Sequence, residues 1–71
     1  MTEVEIHTDT IQLDQFLKLA GAVPSGGMVK ELIVAGAILR NGAVETARRR
    51  KLLVGDVITI EGEDTYCVVR S

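Results

Sequence analysis

The chain has 71 residues, 46% of them apolar, and a formal net charge of −2; a domain this short buries only about 60% of the surface its unfolded form exposes, too little for a water-excluded pocket with a supporting shell, so an enzyme is not expected. The one cysteine, Cys67, excludes an intrachain disulfide, and the one histidine, His7, excludes Cys/His zinc sites of ordinary ligand number. No apolar run of about 18 residues is present to span a membrane, and Met1–Glu5 has neither the basic start nor the apolar stretch of a signal peptide, so a cytoplasmic protein is expected.

Leu13, Phe16, Leu17 and Ala20 fall on one helical stripe. The helix has a natural stop at Gly21, and Thr10, or a residue nearer Leu13, is placed to cap its front. Pro24 disfavours helix at Val23, and Ser25 is a good N-cap. A second helix is read through Met28–Ala35, ending at Gly36, with Met28 or Val29, Leu32 and Ile33 turned to the first helix. Two helices this short are marginal alone and need a further layer to pack on. Ala37–Arg40 leads into Asn41-Gly42, a strong signal for a tight hairpin, with Ala43–Glu45 returning. Val54-Gly55-Asp56 reads as a turn, Val57–Ile60 as a strand, Gly62–Asp64 as a turn and Thr65–Arg70 as the closing strand. The expected fold is α+β, two short packed helices followed by a small antiparallel sheet, in one domain over 1–71.

The charges are segregated. From Lys18 to Lys51 there are seven cations and two acids, Glu31 and Glu45, a balance of +5; outside that span Arg70 stands alone against eight acids, a balance of −7. Such asymmetry points to a polyanionic partner more than the net value does, although a solvated basic face would look the same. Arg48-Arg49-Arg50-Lys51 is the most informative run. In an extended segment its side chains would alternate and make a broad phosphate-binding edge, with arginine adding a planar, bidentate fork; a charged loop kept for solubility is the alternative. Ser25-Gly26-Gly27 opens the second helix, where amides carry partial positive charge and Lys30 lies about a turn on. Small residues there also serve close backbone packing. Asn41 is expected to serve its turn first, and Lys18 and Arg40 gain weight only if the fold brings their elements together.

No catalytic constellation is visible. His7 reads as a surface residue and Cys67 as a small core residue; Asp14 and Asp56 sit where carboxylates satisfy backbone amides. There is no phosphate-loop or dinucleotide fingerprint, and no cofactor or metal is implied. Phe16 and Tyr66 are the only aromatic residues, too few for the stacking platforms that read single strands. A nucleic-acid reading therefore means holding the phosphates and shape of a folded RNA.

Leu13-Asp14-Gln15-Phe16-Leu17, Ser25, Lys30-Glu31-Leu32-Ile33, Gly36, Ile38, Asn41-Gly42 and Val54–Ile58 together resemble the alpha-L RNA-binding motif, the S-four-type domain named after a small-subunit ribosomal protein. The resemblance spans about residues 11–60 and is nearest to small stand-alone bacterial members. It implies non-catalytic RNA binding, to structured ribosomal or transfer RNA and with it the ribosome, by the two-helix face and adjoining hairpin. By position, the implied contacts are Ser25, Gly26, Gly27 and Lys30, then Arg40 and Asn41, then Arg48, Arg49, Arg50 and Lys51; Lys18 joins them on charge. Gln12 and Gly26 stand where many members carry a basic residue, which removes positive charge. A monomer is expected. The competing reading is a protein-interaction module whose basic strip docks on an acidic protein.

Overall fold

A computed structural model describes all residues, Met1–Ser71. In chain order it has β1 (Thr2–Ile6), β2 (Thr10–Gln12), α1 (Leu13–Leu19), α2 (Gly26–Val34), β3 (Ile38–Arg40), β4 (Ala43–Val44), β5 (Lys51–Leu53), β6 (Val57–Ile60) and β7 (Thr65–Arg70). The class is α+β, with two helices and mixed β structure. Five strands form one sheet in the order β1-β7-β6-β3-β4, and β2 pairs with β5 in a separate antiparallel ribbon.

The main sheet is mixed, where the sequence suggested a purely antiparallel one, because β1 pairs with β7 in parallel. Its residues alternate: Val4 and Ile6 are buried, Glu3 and Glu5 exposed. Period-two alternation puts the apolar pair on the core face, and Val4 lies opposite Val68, itself fully buried. Lining the first strand along the last covers an edge that β7 would otherwise leave open. The same alternation sends Cys67 to the face opposite Val68, so it is half-buried rather than a core residue.

The core is built from Leu13, Phe16 and Leu17 of α1, Val29 of α2, and Ile38, Leu52, Ile58, Ile60 and Val68 of the strands, with Val4, Ile6 and Val23 at its margin. The stripe on α1 is the expected one, with Ala20 partly buried at its end. On α2 the core residue is Val29, while Met28 is exposed and Leu32 and Ile33 are half-buried. Both helices stop at a glycine in left-handed backbone, Gly21 (φ 72°) and Gly36 (φ 69°), a conformation costly for other residues. The hairpin β3–β4 turns through Asn41 (φ 52°) and Gly42 (φ 86°), the two positive φ values that a tight two-residue turn requires.

The helix caps sit where expected, Ser25 before α2 and Gln12, a residue nearer Leu13 than Thr10, before α1, but without the expected side-chain bonds. The first amides of α1 are met from elsewhere: Leu13 N–H donates to the Arg50 carbonyl (2.8 Å) and Asp14 N–H to the Arg48 carbonyl (3.2 Å). The loop before β5 thus caps the first helix. Asp14 is buried and accepts from Gln15 N–H (2.9 Å). His7 is exposed, with Nδ1 2.7 Å from Ser71 Oγ.

Candidate nucleic-acid interface

Arg40 ends β3, Arg48 and Arg49 form a turn after β4, Arg50 follows, and Lys51 opens β5. The run is therefore not the extended edge expected for it. Arg50 N–H donates to the Ala47 carbonyl (3.1 Å), closing the turn, while the carbonyls of Arg48 and Arg50 are drawn to the start of α1. Only Lys51 lies in a strand, opposite Gln12. Arg48 and Arg49 therefore stand in a turn instead of a strand, Arg48 half-buried and Arg49 exposed.

Glu45 fixes this arrangement. Its side chain is only 3% exposed, and its Oε1 accepts from Arg40 Nε (2.9 Å) and Arg50 Nε (2.8 Å). Its Oε2 accepts from Thr46 N–H and Ala47 N–H, both at 2.9 Å. Burial alone would push this carboxyl up, but the hydrogen bonds from Arg50, Ala47 and Arg40 and the Arg50 charge outweigh it and hold its pKa at about 2. The carboxylate raises the Arg50 pKa in turn. One acid thereby ties the hairpin, the basic turn and the start of β5 into one unit.

The other proposed residues divide by position. Asn41 is committed to structure on both ends: Oδ1 accepts from Val57 N–H (2.9 Å) and Nδ2 donates to Asp56 Oδ1 (3.0 Å). Asp56 Oδ2 in turn accepts from Leu53 N–H (2.9 Å), so both turn residues do the work expected of them. Lys18 is exposed in the last turn of α1, and Lys30 is exposed on α2. The ion pairs of the chain are those of Arg40 and Arg50 with Glu45 and of Arg70 with Asp9; Lys18, Lys30, Arg48, Arg49 and Lys51 are in none. Gly26 has open space where a side chain would start, and Gly27 meets only Ser25 Oγ at 3.7 Å. Close backbone packing therefore does not explain the two glycines. No ion pair or backbone bond links Ser25, Gly26, Gly27 or Lys30 to the cluster around Glu45.

The S4 domain family matches residues 4–69 of the chain. The chain belongs to that family. Among relatives of this S4 domain, the Bacillus subtilis (strain 168) protein named "Probable ribosome maturation protein RlbA" is 46% identical over 66 residues, 93% of each chain. The Escherichia coli (strain K12) protein named "Putative RNA-binding protein YbcJ" is 34% identical over 58 residues, 82% of this chain and 83% of its own.

In this S4 domain the residue that charge counting hid is Glu45, which enters such a count only as a subtraction. The signal that could have found it is a lone acid flanked at five residues on each side by Arg40 and Arg50, with a hairpin turn between the first two. The arrangement offers five unpaired cations and two arginines whose Nε atoms face inward. A guanidinium has five N–H donors in one plane, so each of these two keeps its Nη end for another acceptor.

Proposed function

We propose that this S4 domain is a non-catalytic, cytoplasmic RNA-binding protein that docks as a monomer on structured RNA, of the ribosomal or transfer class, through its basic face. The observation that carries the reading is the basic turn Arg48–Arg49, held between Arg40, Arg50 and Lys51 on a frame fixed by Glu45 and by the start of α1. The names of the two relatives point the same way, one to ribosome maturation and one to RNA. Arg40, Arg48, Arg49, Arg50 and Lys51 meet phosphates, with Lys18, Lys30 and the Ser25-Gly26-Gly27 helix start extending the face. Phe16 is fully buried and Tyr66 is half-buried against the core, which leaves at most one partly exposed ring, too few for a base-stacking platform, and favours recognition by shape and phosphate.

The test is equilibrium binding to folded ribosomal RNA and to an unstructured RNA of equal length, across a salt series. Contact with about 4–6 phosphates gives a log–log slope of roughly −3 to −5. Changing Arg48 and Arg49 to alanine, which touches no ion pair, should flatten that slope by about 1–2 units. Equal, feeble binding to both RNAs, indifferent to the double change, would sink the reading.

A further inference from the structure

We propose that Glu45 is a positioning residue for RNA recognition, fixing Arg40 and Arg50 side by side as a paired phosphate clamp. This rests on the RNA-binding reading above and deepens it. Both guanidiniums end on the same oxygen of one buried carboxylate, at 2.9 and 2.8 Å. Each binds through Nε. The edge of the planar group that carries both Nη atoms is thus left free, and that edge matches two oxygens of a phosphate. The two side chains are 34% and 43% exposed, so this is no sealed core pair; its inner edge is anchored and its outer edge meets solvent.

The electrostatics argue that orientation is what the acid supplies. A carboxylate beneath a basic face subtracts one charge from the attraction for phosphate, and a buried ion pair is often no more stabilising than an apolar substitute. Two arginines drawn to one oxygen would repel each other without it. With Glu45 in place they stand fixed before RNA arrives, so little side-chain freedom is lost on binding. Backbone elements support both ends of the clamp. Arg40 is followed by Asn41, itself tied to Val57 and Asp56, and the Arg50 carbonyl takes the Leu13 N–H.

Charge and orientation predict opposite signs for Glu45→Gln. The substitution makes the protein more positive by one unit, so attraction alone gives tighter binding to every RNA. The clamp gives roughly tenfold weaker binding to folded ribosomal RNA, with tighter binding to unstructured RNA of the same length. A charge-conserving pair decides the matter even if Glu45→Gln proves unfolded by circular dichroism. Arg40→Lys with Arg50→Lys keeps both charges but cannot anchor one edge and present another, whereas Arg48→Lys with Arg49→Lys alters residues that Glu45 does not hold. The expected result is that the first pair loses several-fold more of the preference for folded RNA than the second. Glu45→Gln binding folded RNA as tightly as the wild type, or equal losses in the two lysine pairs, overturns the clamp while leaving the wild-type preference standing. A wild type with no preference for folded RNA overturns the underlying reading, and the clamp with it.

Discussion

Glu45 has a pKa of about 2 in the fold against an ordinary 4.5. A depressed carboxylate contributes stability that is fully present above its unfolded pKa and is lost as pH falls through the folded one. The window is therefore from about pH 4.5 down to about pH 2. A shift of this size is worth at most about 3 kcal/mol, and less here because both arginines meet water. Urea denaturation should find Glu45→Gln about 1–3 kcal/mol less stable than the wild type at pH 7, the gap closing as pH approaches 2. A gap that stays constant with pH would remove the ion pair as its cause. Phe16, fully buried on α1, carries a different kind of weight. Phe16→Ala should cost about 3–5 kcal/mol, much of what a domain this small possesses, and urea melts should show it largely unfolded at moderate denaturant. Phe16 was legible from spacing alone. Glu45 was not, since its role depends on a turn that brings Arg50 back beside Arg40.

Among the elements, what could be read from sequence is what is encoded locally. The stripe on α1, the glycine stops and the Asn41-Gly42 turn each need only a few neighbouring residues. By contrast β1 owes its state to β7, whose residues lie at the other end of the chain, and β2 and β5 are three residues each, strands only because each faces the other. The basic run failed for the same reason. Its residues do not dictate an extended path, and the open amides of α1 with the Glu45 carboxylate bend it into a turn. Of the candidate site, the cations were legible and their grouping was not. The hairpin tip gives a direct check on one element. Asn41→Ala removes two side-chain hydrogen bonds and leaves a β-carbon at positive φ, so a loss of about 1–3 kcal/mol is expected in denaturant midpoints.

For the whole molecule the sheet order sets the acids of β1 apart from Arg40, although Asp56 lies beside the hairpin, bonded to Asn41. The acids of β1 lie at one edge, while Arg40 is on β3, three strand positions away or about 14 Å. The acidic turn at Glu61–Asp64 sits beyond the Ile60 end of β6, whereas Arg40 pairs with Ile58. A chain of net charge −2 and pI near 5.2 should therefore be retained on a phosphate-bearing resin at pH 7 and low salt, since local potential governs such adsorption. Arg48→Ala with Arg49→Ala should elute at distinctly lower salt. Elution of the wild type in the void volume would show that the acidic edge dominates.

The helix capping by Arg48 and Arg50 carries a consequence for chain length. Surface loop tips ordinarily tolerate insertions, but between Glu45 and Lys51 the amides of residues 46, 47 and 50 and the carbonyls of 47, 48 and 50 are already engaged. A single added glycine after Arg49 would pull those partners out of step, uncapping α1 while leaving every charge in place. The turn at Gly62–Asp64 is exposed, and its own hydrogen bonds run to Ile60, Thr65 and Thr2 rather than to that frame, so an insertion there should loosen the β6–β7 turn while leaving the α1 cap and the Glu45 cluster in place.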